Sequence, residues 1–342
     1  MSGRIKELCL GTLLLLSLAA GWLITLQSVG RLERVPATVQ LRYREEAFSP
    51  RELDEIAGSE AQQGSGALPL TAFGQQEQKK VSTEAPAREA QLTLLWTWGR
   101  MDRAMSAPLL SGYYPAAGGD GCVVDESAAY RLWGSRQVTG ETLRYDGKDY
   151  TVRGVSEAAG GVVLLPAAAE QRVLSTLALE PPPGKDRRAA AEEFRVRHAL
   201  EEADAILLLG GFNSLGRLLL FLPFLILACV LLWLLLQALW RLRHMPFLFA
   251  LDLGALVLIL VLAFWLSGVR ISFPQSMVPT RWSDFEFWQR LFSSWGESLV
   301  ELLRSEKLIP DLLYWKEWGK AAGGALLSSL AMVLLIKRRA AG

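Results

Sequence analysis

Four long apolar runs decide what this chain can become. They cover Leu8 to Leu26, Leu218 to Trp240, Phe247 to Leu266 and Ala321 to Ile336. A helix that crosses a bilayer needs roughly 20 apolar residues and at least about 17. The first three runs meet that length, and the fourth reaches it by drawing Gly319 and Lys320 into its interfacial end. A cleaved leader is the alternative for the first run, since Arg4 and Lys6 precede it. The run continues through Trp22, Leu23 and Ile24 with no small-residue cleavage site, so it reads as a retained span.

Basic residues beside the spans set the orientation. Arg4 and Lys6 precede the first span. Arg241, Arg243 and His244 fill the turn between the second and third, and Lys337, Arg338 and Arg339 follow the fourth. With four spans all three groups fall on one side, the cytoplasm, and both termini lie there. Arg31, Arg34, Arg42 and Arg44 follow the first span on the outer side, where a large folded domain is translocated largely regardless of charge. The expected plan is therefore a membrane α-helical protein of four spans, with an α+β extracytoplasmic domain between spans one and two. Its segments are 1–29 (tail and first span), 30–215 (outer domain), 216–268 (second and third spans with a short cytoplasmic turn), 269–318 (outer Trp-rich segment) and 319–342 (fourth span and basic tail). The expected setting is a bacterial inner membrane.

Within 30–215 the patterning alternates between strand and helix. Val39, Leu41 and Tyr43 alternate with polar residues as a strand leaving the membrane does. Ser49, Pro50 and Glu52 form a helix start, and the helix is predicted to run to about Ala57 and stop at Gly58. Residues 59–90 read as loop, with one short strand around Leu68 to Phe73. Leu92, Leu94, Trp96 and Trp98 alternate as a half-buried strand. Val123 and Val124 end a strand, Asp125 caps a helix through Leu132 and Trp133, and Gly134 closes it. Leu143 and Tyr145, the Asp146-Gly147 turn, and Tyr150, Val152 and Val155 make a hairpin. Val162 to Leu165 form a further strand, and a helix from about Arg187 to Ala203 leads towards the second span.

Little here suggests catalysis. The chain has two histidines, His198 and His244, placed on opposite sides of the membrane by this topology. A Ser/His/Asp device or a His-based metal site needs a well-surrounded histidine, and His198 reads as a solvated residue of a charged helix. Cys9 and Cys229 sit in apolar runs, so no structural disulfide is expected, and Cys122 reads as a small buried apolar residue. Asp120, Asp125 and Glu126 are acidic neighbours, but turn and capping roles account for Asp125. No phosphate loop occurs. With 36 basic and 35 acidic residues, there is no basic excess for nucleic acid. No catalytic, metal or cofactor-binding residues are expected, and the chain is expected not to be an enzyme by itself. Asp252, a carboxylate inside the third run, is the candidate intramembrane polar site.

From Leu110 to Val155 the chain resembles the periplasmic core domain of MacB-like and FtsX-like ABC-transporter permeases. The stretches that carry the likeness are Leu110-Ser111-Gly112-Tyr113-Tyr114, Val123-Val124-Asp125-Glu126-Ser127-Ala128-Ala129, Leu132-Trp133-Gly134, Val138-Thr139-Gly140-Glu141-Thr142-Leu143 and Asp146-Gly147-Lys148-Asp149-Tyr150-Thr151-Val152-Arg153-Gly154-Val155. The plan of one span, an outer domain and three further spans is similar too. The resemblance implies a permease subunit that works as a homo- or heterodimer with another permease chain. It also implies a separate cytoplasmic ABC ATPase, whose motion is relayed through the second span to the outer domain. Family members carry a basic docking segment between the second and third spans, read roughly as Arg-Glu-Ile-Gly-x-x-Arg-x-x-Gly. Here that place holds only Arg241-Leu242-Arg243-His244-Met245-Pro246, with Arg241, Arg243 and His244 as the candidate ATPase-facing residues. The alternative is a membrane-anchored binding or scaffolding protein of the cell envelope without ATPase coupling.

Phe285, Trp288, Leu291, Phe292, Trp295 and Leu299 recur at helical spacing in the 269–318 segment. Trp282, Trp288 and Trp295 are candidate interfacial anchors of a helix lying on the outer face of the bilayer, the alternative being a helix packed against the outer domain or a partner.

Overall fold

The computed structural model describes residues 3–35, 37–44, 48–62, 67–84, 86–105, 107–116, 118–157, 159–182, 186–209, 213–242 and 307–341, with isolated positions 254, 289, 293, 296 and 300. The chain divides into two compact units. One comprises residues 1–32, 212–278 and 316–342, and the other residues 33–211 and 279–315.

The described residues of the first unit are helical. It contains α1 (Gly3–Leu32), α6 (Asn213–Leu242) and most of α7 (Ile309–Ala341). Among the described residues two helices are long and apolar enough to cross a membrane, Cys9–Leu32 and Ile309–Arg338, and a shorter apolar stretch covers Gly216–Val230. Leu13 and Leu16 on α1, and Leu326 and Leu330 on α7, stand exposed as lipid-facing leucines would. α1 and α7 approach closely at two glycines. A Cβ on Gly21 would lie 2.7 Å from the Gly324 carbonyl oxygen, and one on Gly324 would lie 2.6 Å from that of Gly21. Thr25 donates its hydroxyl hydrogen to Gly21 O at 2.9 Å, with Ala321 O also within reach at 3.3 Å. This is small-residue packing of the kind that lets helices meet where water gives no hydrophobic drive. The third predicted run, Phe247 to Leu266, lies outside the described residues apart from Gly254.

The second unit is built on one ten-stranded mixed sheet. Its strands are β1 (Val39–Arg42), β2 (Leu70–Glu84), β3 (Ala87–Trp98), β4 (Leu109–Gly112), β5 (Gly121–Asp125), β6 (Thr142–Tyr145), β7 (Lys148–Ser156), β8 (Val162–Pro166), β9 (Thr176–Leu179) and β10 (Ala205–Leu208). The order across the sheet is β10-β1-β9-β2-β3-β8-β5-β7-β4, with β6 pairing β2 and β7. β3 with β8 and β5 with β7 run parallel. The helices are α2 (Pro50–Ala61), α3 (Met101–Ala104), α4 (Glu126–Trp133) and α5 (Arg187–Arg197).

Alternation along the strands feeds two apolar layers. Leu94, Trp96, Cys122, Val124, Val163 and Leu165 join Leu53, Leu132 and Phe194 from α2, α4 and α5. Leu95, Val123, Val162 and Leu164 point the other way, into a smaller layer with Met101, Ala104, Leu308 and Ile309. The central strands are therefore buried on both faces, which is why they read as nearly continuous apolar runs.

Local signals hold where the chemistry is local. Ser49 and Glu52 form a reciprocal capping box at α2, and Asp125 caps α4 by accepting from Ala128 N–H at 2.7 Å. Gly134 ends α4 at φ 75°, and the β6–β7 turn places Asp146 at φ 50° and Gly147 at φ 73°, positive at both central positions as a type I′ hairpin requires. Three expectations change. α2 passes through Gly58 to Ala61, because its last turn is held by the hydrogen bonds of Glu60. The 59–90 region is mostly strand. β2 and β3 form a long hairpin whose alternation is interrupted by a bulge between Gln76 and Lys79, with Gln78 at φ 54°. The helix from Arg187 stops at Arg197, and β10 precedes α6 instead.

Candidate functional site

The geometry that stands out surrounds β1. This strand follows α1 in sequence and pairs antiparallel with β10, in register Val39↔Leu208 to Arg42↔Ala205; its other edge pairs with β9. β10 in turn precedes α6. The strands that adjoin α1 and α6 in sequence are thus direct neighbours in the sheet.

Arg42, at the end of β1, is buried. Its guanidinium gives one nitrogen to each oxygen of Asp311, at 2.7 and 2.8 Å, and the pair is more than nine-tenths shielded from solvent. Gln40, two residues earlier on the same face of β1, accepts from Arg42 Nε and Nη2 at 3.2 and 2.6 Å. Such a planar fork-to-fork pair fixes orientation as well as distance.

Asp311 lies in the first turn of α7. Its carboxylate also accepts from Leu308 N–H at 3.0 Å, and Gln75 of β2 accepts from Ile309 N–H at 2.8 Å. Two N–H groups at that helix end, which have no partner along the helix ladder, are therefore satisfied, one by the sheet and one by the helix's own side chain. Leu308 and Ile309 are buried in the smaller apolar layer, and Leu313 packs against it.

A second buried polar group joins α2 to α5. Glu60 accepts from Leu68 N–H at 2.8 Å and from Arg197 Nη1 at 2.8 Å, and its Oε1 lies 2.7 Å from His198 Nε2. Burial pushes the Glu60 carboxyl up, but the Leu68, His198 and Arg197 contacts outweigh it and hold the group below its ordinary range. His198 is thus a buried, paired residue and not the solvated one its charged surroundings suggest. The α5 helix ends there, and the ring tucks against Phe194 at 4.6 Å between centroids.

Beside this group lies an open cleft of about 900 Å³ lined by Tyr43, Phe48, Ile56, Leu200 and several carboxylates. Two of those carboxylates are engaged, Glu52 with Arg172 and Asp204 with Arg44. Burial raises the Tyr43 hydroxyl to about 12, so it stays protonated at neutral pH. Cys122 is fully buried, its thiol pushed up to about 12 by burial and, to a lesser extent, by Asp120, which leaves almost no thiolate to act as a nucleophile. Among the described residues no three His, Cys, Asp or Glu side chains gather as metal ligands would. These arrangements position helices and strands; none assembles a nucleophile with a base.

Of the candidate residues read from the sequence, Arg241 falls in the last turn of α6. Arg243, His244, Asp252, Trp282, Trp288 and Trp295 lie outside the described residues. The Arg42–Asp311 pair is not among those candidates. Arg42 reads from sequence only as a charge following a span, and its partner is 269 residues away. Pro310-Asp311 is the one local signal, a proline and a carboxylate in a first helical turn.

The family described as the MacB-like periplasmic core domain matches residues 15–196, over half of the chain. The chain belongs to the MacB-like periplasmic core domain family. The resemblance carried by Leu110 to Val155 thus extends back through β1 and α2 into α1. Similar solved structures are the extracellular domain of the noncanonic ABC-type transporter YknZ from Gram-positive bacteria (12% identity, TM-score 0.38, covering 49% of this chain and 96% of that one), and the periplasmic region of MacB from Actinobacillus actinomycetemcomitans (10% identity, TM-score 0.41, 53% and 92%). A domain of a putative permease from Porphyromonas gingivalis is also similar (18% identity, TM-score 0.37, 48% and 85%). No curated protein matches the chain. In this MacB-like chain the matched segment includes β1 and Arg42 but ends before β10, α6 and Asp311.

Proposed function

We propose that this MacB-like chain is the permease-like subunit of an ABC transport system of the mechanotransmission type, relaying the motion of a separate cytoplasmic ATPase to its outer domain. The observation that carries the reading is the β1–β10 pairing. β1 continues from α1 and β10 leads into α6, so relative movement of those helices acts on two hydrogen-bonded neighbours of one sheet. The central strands are buried on both faces, and packed interiors transmit displacement rather than absorb it. The full plan has four spans with both termini cytoplasmic, the segment boundaries given above, and a bacterial inner membrane as its setting. The chain itself is not an enzyme. It works as a homo- or heterodimer with another permease chain, with Arg241, Arg243 and His244 facing the ATPase, Asp252 as an intramembrane polar site and Trp282, Trp288 and Trp295 as interfacial anchors.

One sequence observation favours a second reading. The turn from Arg241 to Pro246 lacks the docking segment of other family members, as a binding or scaffolding protein of the envelope without a motor would. Affinity purification of the full chain in mild detergent separates the two. Recovery of an ATPase with nucleotide-binding motifs supports the relay, and its loss on deleting residues 241–246 locates the contact. Purification without any ATPase, with function intact after that deletion, overturns the relay in favour of the scaffold.

A further inference from the structure

We infer that the Arg42–Asp311 pair is a latch that fixes the start of α7 to the sheet, making α7 a second transmission helix beside α6; this inference rests on the relay reading. A buried ion pair is a poor device for stability alone, because desolvation offsets much of the attraction. Its better attested use is to specify one arrangement out of several. Here the polar contacts serve that end. The pair is bidentate, Gln40 braces the guanidinium, Leu308 N–H occupies the Asp311 carboxylate, and Gln75 holds Ile309 N–H. Two strands, β1 and β2, therefore grip one helix end at fixed angles, while Leu308, Ile309 and Leu313 fill the layer beneath. Apolar contacts alone would let that end slide or rotate; directional charge-assisted bonds do not.

The latch also closes a loop of connections. β1 is bonded along one edge to β10, the strand before α6, and through Arg42 to the first turn of α7. Displacement entering along any of these elements reaches the others through β1. If the latch opens, α7 parts from the sheet without unfolding it, because Asp311 belongs to no strand and the β1 ladders to β9 and β10 do not involve it.

The test uses the full chain in nanodiscs with the exposed Cys9 and Cys229 replaced by Ala, spin-labelled at Lys148→Cys and Leu312→Cys, with Lys148→Cys and Lys80→Cys as a pair confined to the sheet. The native chain is expected to show one narrow 148–312 distance distribution. In Asp311→Asn, and in Arg42→Lys, a second population of about 10% or more is expected for 148–312, with 80–148 unchanged. A 148–312 distribution as narrow in both variants as in the native chain overturns the latch. Broadening of both pairs alike also overturns it, since the contact then holds the sheet and not the helix. Failure of the relay itself shows separately, as absence of an ATPase on purification, and leaves these distances unaltered.

Discussion

Glu60 Oε1 lies 2.7 Å from His198 Nε2, and both side chains are shut away from solvent. The contact joins the last turn of α2 to the end of α5, and His198 also lines the cleft. A carboxylate buried in this way is tolerated because Leu68 N–H and Arg197 complete its shell. Ala199, the next residue, is held at φ 50°, a left-handed conformation that a non-glycine side chain adopts at a cost of about 1 kcal/mol or more.

Removing the Glu60 charge should destabilise the outer domain in a pH-dependent way. The carboxyl is held below its ordinary value in the fold, so its stabilising contribution is present above about pH 4.5 and is lost as pH falls through the folded value. Glu60→Gln is expected to lose roughly 2 kcal/mol near neutrality. Thermal melts of the two proteins should converge on acidification below about pH 4. A gap that stays constant from pH 7 to pH 3 would refute the assignment.

Asp125 has a larger structural role than a helix cap. One carboxylate oxygen accepts from Ala128 N–H at 2.7 Å, and the other from Ala159 N–H and Gly161 N–H at 2.7 and 2.9 Å. It thereby ties α4 to the connection between β7 and β8. Asp125→Ala strands three donors and should cost about 3 kcal/mol; Asp125→Asn, which keeps one acceptor, should cost less. Chemical denaturation of the full chain in detergent ranks the two, and equal losses would show that charge alone matters.

These two residues mark how far sequence reasoning reaches. Asp125, Gly134 and the Asp146-Gly147 turn are legible because each acts on neighbours a few positions away. The four-residue strands β9 and β10 are not. They are too short to show a period, and they exist because β1 offers them two open edges. β2 escapes a pattern reading because its bulge at Gln78 breaks the alternation and its polar outer half resembles a loop. His198 looks solvated because its neighbours are charged, although such charges, Glu60 and Arg197, are what bury it. Nothing local couples Arg42 to Asp311.

The α1–α7 contact should depend on the absence of two side chains. Gly21→Val or Gly324→Val places carbon against backbone atoms under 3 Å away. A loss of about 2 kcal/mol or more is expected from such overpacking. Gly323→Ala, where a Cβ meets nothing within 4 Å, serves as the control. Thermal stability in detergent should fall for the first two variants only, and a matching fall for the control would argue against specific packing.

Cys122 should be inert in the folded chain. With its thiol raised to about 12, the thiolate fraction at pH 8 is lower than that of an ordinary cysteine by a factor on the order of 1,000. Maleimide labelling of a Cys9→Ala, Cys229→Ala chain is expected only after denaturant is added. Rapid labelling without denaturant would place Cys122 outside the core.

In the proposed topology, apolar helices hold this α+β domain on the far side of a membrane. The direct measurement is labelling of intact cells with an impermeant thiol reagent, using chains whose native cysteines are replaced and which carry either Lys148→Cys or Lys337→Cys. Modification is expected at 148 from outside, and at 337 only after the cells are opened. Labelling at 337 in intact cells, with 148 protected until lysis, would contradict it.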